Sequence, residues 1–287
     1  MRVLVTGATG NVGREVVRAL RARGALVRAA AHETESVRAL HEGDVEPVRL
    51  DLDAPSTFRH AAEGCEALFL VRPHGVADVA LVQFLDAARE HGVRHVVFLS
   101  VPPAGPVNRL LPHHAIEAHL TSRSGDWTIL RPGFFAQNLG DAYWRDIVED
   151  SRLYVPAGGG RVAFVDVRDI AEVAAIALLD RSAHAGRTYT LTGPEATTFE
   201  EAAAILSDAL EQPVRYEPAS IPRYALHLHE RGTPAPQIAL QTLLHVALRF
   251  GQARAVDPTL RTLLDRRART LHDYVRDHVT TWRGATS

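Results

Sequence analysis

The chain of 287 residues contains no lysine; all 32 of its basic residues are arginine. Arginine cannot replace lysine where a proton must leave the nitrogen. A Schiff-base amine, a Walker lysine and a Tyr-x-x-x-Lys dyad are therefore all excluded. There is one cysteine, Cys65, which rules out a disulfide framework and a cysteine-based zinc site and fits a reducing compartment. A formal charge of −2 provides no basic field for nucleic acid or for an anionic membrane. No apolar run approaches the roughly 20 residues that a membrane span requires. The opening Met1-Arg2-Val3-Leu4-Val5 leads straight into a glycine turn with no signal-peptide pattern, so a cytoplasmic location is expected. Internal repeats and low-complexity linkers are absent as well.

What is present is a balanced globular composition, 46% apolar and 23% charged. Short apolar runs of β type recur at Arg2–Val5, Ala25–Ala31, Val45–Leu50, Ala67–Val71, Val93–Ser100 and Trp127–Leu130. Helical patterns lie between them: Val12, Val16, Val17 and Leu20 before Gly24, and Val79, Val82, Leu85 and Ala88 before Gly92. Nearly all-apolar strands alternating with helices predict an α/β fold, a doubly wound parallel sheet of Rossmann type covered on both faces. A smaller C-terminal α/β lobe is expected beyond it. Residues 1–150 read as the dinucleotide-binding core and 151–287 as a substrate lobe interleaved with it. In that second half Val162–Val165 and Thr188–Thr192 read as strands, and Asp169–Leu179 as a helix capped by Asp169. Thr198-Phe199-Glu200-Glu201 has capping-box spacing and opens a helix to about Leu210. The stretch from Ile221 is helical and broken at Pro234 and Pro236.

The segment Gly7-Ala8-Thr9-Gly10-Asn11-Val12-Gly13 follows a strand and opens a helix, the context that a pyrophosphate-binding loop requires. Gly7 is expected to allow the tight turn, Gly10 to let the backbone approach the phosphates, and Gly13 to bring helix and sheet together. The free amides and partial positive charge of the helix start then hold the anion, with Thr9 and Arg14 beside them. The cofactor expected there is a nicotinamide dinucleotide. Glu33 after the second strand favours NAD(H); His32 and Arg14 favour NADP(H), and His32, coming first, tips the balance to NADP(H). Asp51 and Leu52 follow the third strand toward the adenine edge, Asp53 being equally readable as a helix cap. Val71 and Arg72, at the end of the fourth strand, complete the expected contacts on this side.

The opening Val-Thr-Gly-Ala-Thr-Gly-Asn-Val-Gly-Arg resembles the atypical short-chain dehydrogenase/reductases of the NmrA-like type. The likeness continues through His114-Ala115-Ile116-Glu117, Trp127–Leu139, Val165–Ala171 and Leu191–Glu195, and so covers about residues 1–220. It implies a Rossmann domain, a small C-terminal lobe and a substrate cleft. Among the activities it implies are quinone, triphenylmethane-dye and imine reduction, and redox sensing without turnover. In many such proteins a lysine three residues before the glutamate completes a dyad. Here His114 stands there, and Leu110 stands where the tyrosine would be.

Hydride transfer needs positioning and water exclusion more than protein chemistry. A proton donor helps, and histidine titrates in the right range, so His113 and His114 are the candidates. The bland alternative is a solvated His113 and a His114 that only packs on the cofactor. Ser100, at a strand end, either bonds a ligand or its own backbone. Pro132, Gly133 and Phe134 are expected at the nicotinamide end. Asn138 reads as pocket-lining or as a buried tie, and Tyr143 with Trp144 as an aromatic wall or as plain core. Paired histidines, His113 with His114 or His227 with His229, point apart on a helix, so no metal site is expected. Val155–Arg161, with three glycines, reads as a cleft lid or a connecting hairpin.

The reading that follows is an NAD(P)H-dependent reductase of a small conjugated or aromatic acceptor, a quinone, imine or enone, working without a Tyr/Lys dyad. A non-catalytic redox sensor and a non-redox cyclase or isomerase on the same fold are the alternatives. The partner is a small molecule; monomer and homodimer both remain open.

Overall fold

The structure, a computed structural model, describes residues 1–41, 43, 45–73, 75–102, 112–123 and 125–283. It forms two compact units, Met1–Pro132 with Val167–Leu191 and Gly133–Asp166 with Thr192–Ser287.

The first unit starts as strict alternation. Strand β1 (Arg2–Val5) leads into helix α1 (Asn11–Arg21), then β2 (Leu26–Ala31), α2 (Thr34–Leu40), β3 (Val45–Arg49) and α3 (Phe58–Ala62). β4 (Ala67–Val71), α4 (Asp78–Glu90), β5 (His95–Leu99), α5 (Pro112–Ser122) and β6 (Asp126–Pro132) follow. In the second unit the chain forms α6 (Trp144–Asp150), β7 (Arg152–Val155) and β8 (Arg161–Val162). It then adds α7 (Val167–Leu179), α8 (Arg181–His184) and β9 (Arg187–Leu191) to the first unit.

The sheet of the first unit has seven parallel strands in the order β3-β2-β1-β4-β5-β6-β9. The winding reverses beside β1, where Val3 pairs with Val27 on one side and Ala67 on the other. Ligands of open α/β sheets bind outside the carboxyl ends of the strands at this switch point. The central strands are apolar on both faces because both are covered. One face packs Leu4, Leu68, Leu70, Val96 and Phe98 against Phe84, Leu85, Ile116 and Leu120 of α4 and α5. On the other, α1 meets α7, whose Ala171, Ala174 and Ala175 are small enough for close approach. Thr6 joins β1 to β4: its backbone and hydroxyl both donate to the Phe69 carbonyl, and its Oγ1 accepts the Val71 amide at 3.0 Å.

The second unit continues through β10 (Thr197–Thr198), α9 (Phe199–Leu210), β11 (Arg215–Pro218), α10 (Ile221–Glu230) and α11 (Ala235–Arg249). It closes with α12 (Thr259–Leu264), α13 (Leu271–Asp277) and α14 (Thr280–Arg283). β7 pairs in parallel with β11, and β8 antiparallel with β10. Its core gathers Tyr143, Ile147, Phe164, Phe199, Leu206, Tyr224, Val275 and Trp282. The capping box at α9 forms as its spacing predicts: Thr198 Oγ1 accepts the Glu201 amide, and the Glu201 carboxylate accepts the Thr198 amide.

Several local expectations need correction. Thr188–Thr192 does give a strand, but β9 joins the main sheet beside β6 rather than a separate lobe. Of Val162–Val165 only Val162 lies in a strand; Val165 forms a single bridge to Phe135. α7 starts at Val167, so Asp169 is a buried first-turn residue and not its cap. Val155–Arg161 is not a hairpin, since β7 and β8 do not pair with each other. It is also not a loose lid. A Cβ on Gly160 would lie 2.2 Å from the Leu248 carbonyl oxygen, so the loop is packed against the end of α11.

Candidate active site

The glycine loop sits at the carboxyl end of β1. Gly7 has φ +60°, and its carbonyl accepts the Gly10 amide at 2.9 Å, closing a tight turn. A Cβ on Gly7 would fall 2.4 Å from Val71 Cγ2. Gly13 acts within the loop: a Cβ there would come 2.0 Å from the Gly7 carbonyl oxygen. Its small size therefore seats α1 on the turn itself, rather than on the sheet as expected. Gly10 is different, exposed and with open space beyond a single contact at 3.4 Å. It is the N-cap of α1, no side chain caps the helix, and its first turn carries no acidic residue. The first intrahelical bond runs from the Arg14 amide to the Gly10 carbonyl, so the amides before it are not used within the helix. Thr9 is exposed beside it.

One residue that the sequence did not point to holds this loop from behind. His41, 7% exposed after the end of α2, bonds the Ala8 carbonyl through Nε2 at 3.0 Å. A carbonyl only accepts, so Nε2 carries the proton and the tautomer is fixed.

At the ends of β2 and β3 the structure brings His32 and Asp51 together, with Nε2 3.4 Å from Oδ2. Arg49 lies 3.5 Å from the same oxygen, and Asp51 Oδ1 accepts the Asp53 amide at 3.1 Å. The His32 side chain is two-thirds exposed, and Glu33 turns to solvent at the N-cap of α2. Leu52 is exposed only in part. Arg14 Nε is 3.7 Å from Glu15, too far for a hydrogen bond. Arg72 is committed locally: Nε donates to Asp78 at 2.9 Å and Nη2 to the Val76 carbonyl at 2.9 Å.

At the ends of β5 and β6 a charged cluster is buried. Ser100 Oγ donates to Glu117 Oε1 at 2.5 Å, and Arg131 donates to both Glu117 oxygens, Nε at 3.0 Å and Nη2 at 2.6 Å. Burial pushes the Glu117 carboxyl upward, but the Arg131 and Ser100 bonds outweigh it and leave it below its ordinary value. The same pairing raises Arg131. His113 and His114 occupy the first turn of α5. The His113 ring stacks on Phe98 with centroids 6.1 Å apart, while His114 is exposed and adds a favourable charge near Glu117. Leu110 lies outside the described residues. Glu117 and Arg131 stand in the sequence blocks already singled out, but nothing in those blocks pairs them.

Pro132 ends β6, and Gly133, Phe134, Asn138 and Tyr143 belong to the second unit. Phe134 stands edge-on to Phe164 at 5.7 Å and to His245 at 5.9 Å. The Ala136–Leu139 turn is a 3-10 helix that begins after Phe135, so Phe134 and Asn138 do not share an α-helical face. Asn138 is half-buried, and its side-chain amide has no hydrogen-bond partner among the described residues. Tyr143 is 3% exposed, its hydroxyl donating to His245 Nε2. His245 Nδ1 in turn donates to the Gln241 carbonyl at 2.6 Å. Burial holds the Tyr143 phenol well above its ordinary value and His245 below its own. Trp144 turns away, donating to the Thr281 carbonyl at 2.8 Å.

The chain as a whole has known counterparts. The chain is 31% identical over 282 residues to an NAD(P)H azoreductase of Xenophilus azovorans, covering 96% of this chain and 97% of that one. It is 32% identical over 288 residues to the uncharacterized oxidoreductase YesF of Bacillus subtilis, covering 98% and 96%. In fold it matches the Citrobacter sp. triphenylmethane reductase complexed with NADP(H), with TM-score 0.83 and 24% identity over 99% of this chain and 100% of that one. The NmrA-like family model itself spans residues 1–282, and the chain belongs to that family.

Proposed function

We propose that the protein is an oxidoreductase that uses NAD(P)H, with NADP(H) preferred, to reduce a small conjugated or aromatic acceptor such as a quinone, imine or enone. The observation that carries this reading is the loop at Gly7–Gly13. It leaves open space at Gly10 and an uncapped, acid-free helix start, which together fit a pyrophosphate. The azoreductase relative and the NADP(H) complex of the structural neighbour support the same choice. His32 and Arg14 take the 2′-phosphate side of the adenosine, Asp51 and Leu52 its edge, with Val71 behind Gly7.

The bound nicotinamide supplies the hydride. The residues of the chain position the reactants, exclude water and manage one proton. The Ser100 hydroxyl donates its hydrogen bond to Glu117, which leaves Oγ to act toward a ligand only as an acceptor. Arg131 and Glu117 fix that serine and the start of α5. His114, exposed in that first turn, delivers the proton to the reduced acceptor, and His113 against Phe98 backs it. In the second unit the Phe134 ring and the free Asn138 amide suit a flat acceptor with a carbonyl or imine nitrogen. Tyr143 supports Phe134 through His245 rather than reacting, because its proton is committed inside the core.

The test is consumption of NADPH, followed at 340 nm, with a panel of quinones, azo dyes, imines and enones. Turnover with at least one class, reduced by His114→Ala more than NADPH affinity is, supports the reading. NADPH binding with no consumption across the panel favours the sensor instead.

A further inference from the structure

Helices α6 and α10 of the second unit meet along matched stripes. On α6 and its N-cap, Tyr143, Asp146, Ile147 and Asp150 recur at i, i+3, i+4 and i+7. On α10 and its C-cap, Tyr224, His227, Leu228 and Arg231 do the same. The tyrosines converge at one end of this seam. Tyr143 bonds His245 Nε2, and the Tyr224 hydroxyl stands 3.4 Å from His245 Nδ1 with its ring edge-on at 5.4 Å. The charges converge at the other end. His227 Nε2 donates to both Asp146 oxygens, at 2.9 and 3.1 Å. Arg231 Nη2 donates to Asp146 at 3.1 Å and to Asp150 at 2.9 Å, and its Nη1 pairs with Glu149.

Asp146 is 7% exposed, and burial pushes its carboxyl upward against the pull of His227 and Arg231. A carboxylate at this depth keeps its charge only with cations against it. The network sets Asp146, Glu149, Asp150 and Glu217 against the guanidiniums of Arg145, Arg152 and Arg231. Among the described residues one negative charge is left over, and His227 as imidazolium supplies the fourth cation. The Tyr154 ring, under the Arg152 guanidinium, packs edge-on to His227 at 5.1 Å. Because Nε2–H is held by the carboxylate, His227 loses its proton from Nδ1. The hydrogen bond then survives, but the charge that strengthens it does not.

We propose that His227 is a positioning residue for the acceptor. Protonated, it completes the seam, and α10 seats Tyr224 against His245, on which Phe134 stands edge-on at 5.9 Å. Deprotonated, it leaves Asp146 one cation short, α10 loosens, and Phe134 loses backing. The inference rests on the proposed reductase reading, in which Phe134 meets a flat acceptor. Acceptor affinity then falls as pH rises and His227 gives up its proton, while the glycine loop, in the first unit, is untouched.

Two measurements from about pH 6 to pH 8 test this. The first is steady-state reduction of an acceptor without ionising groups, such as menadione. Its KM is expected to rise at least threefold with pH in the wild type at unchanged kcat. In His227→Gln, which keeps a neutral donor, KM is expected to be high at every pH, and in His227→Lys, which keeps a charge, low at every pH. NADPH affinity is expected to be the same in all three. The second, which needs no turnover, is hydrogen exchange of the α10 amides, corrected for the intrinsic effect of pH. Protection is expected to fall at least threefold with pH in the wild type and to stay low in His227→Gln. The same pH course of protection in both proteins overturns the inference, and so does a KM that rises equally in both. Protection that responds to pH while KM does not overturns the link to Phe134. Absence of turnover across the acceptor panel contradicts the reductase reading instead, and hydrogen exchange then decides the seam by itself.

Discussion

Arg131 grips Glu117 with both arms of its guanidinium, Nε at 3.0 Å and Nη2 at 2.6 Å, beneath the end of β6. The pair ties α5 to the strand that carries the chain into Gly133 and Phe134. Removing one partner of a buried pair leaves an uncompensated charge, which costs about 3 kcal/mol when burial is complete. The Arg131 side chain keeps 26% of its exposure, so Glu117→Gln is expected to cost about 2 kcal/mol. Replacing both by leucine should cost less than that single change. Chemical denaturation of the three proteins checks the order. The sign with pH follows from the depressed Glu117 carboxyl. Its contribution is complete above the ordinary carboxylate value and is lost as pH falls through the lower folded one.

A second pH effect arises in the middle of the sheet. His95 is 1% exposed; its Nε2 donates at 2.9 Å to Thr128 Oγ1, whose own proton goes to the His184 carbonyl. Its Nδ1 is buried without a partner. Protonating that nitrogen would bury an unpaired charge, and burial pushes the group down to about 4. The unfolded chain therefore takes up the proton first. Stability falls as pH drops from the ordinary histidine value of about 6.5 toward the folded value, by up to ~3 kcal/mol. The melting temperature of His95→Phe should decline less steeply than that of the wild type over this range. Parallel slopes would contradict the assignment.

His41 and the Ala8 carbonyl make a prediction about binding rather than folding. His41→Ala removes a buried hydrogen bond worth about 1 kcal/mol and frees the loop that it backs. NADPH affinity is expected to fall about fivefold to tenfold, with partial recovery in His41→Gln, which restores a donor. Fluorescence titration of NADPH gives the comparison.

Cofactor choice is expected to reside in His32. A hydrogen bond to a charged phosphate contributes about 1.5–3 kcal/mol when formed, and His32 is largely solvated, so the lower end applies. His32→Ala should weaken NADPH about tenfold and leave NADH nearly unchanged. Equal losses for both would place the 2′-phosphate elsewhere.

The first unit was legible because its strands are buried on both faces, so Val3-Leu4-Val5 and Ala67–Val71 stand out as apolar runs with helical periods between them. The strand Arg152–Val155 was not legible. It begins after Ser151, which ends α6 in the left-handed region with φ 51° where a glycine would have signalled the stop. β9 was read as a strand, but no local pattern tells which sheet a strand joins. In the site, the glycine spacing disclosed the loop and the tight turn at Gly7. His41 left no trace, because its partner lies 33 residues earlier and a lone histidine after Leu40 looks like any exposed helix end.

The most direct measurement is a calorimetric titration of NADPH into the wild type and into Gly10→Ala. At Gly10 the backbone angles suit any residue and an added Cβ meets only the Gly7 carbonyl oxygen at 3.4 Å, so the variant should fold with an unchanged melting temperature. The account predicts saturable heat with the wild type and an affinity at least tenfold lower in the variant, because the methyl group occupies the approach of the phosphates. Absence of heat with both NADPH and NADH, or equal affinity in the two proteins, would contradict it.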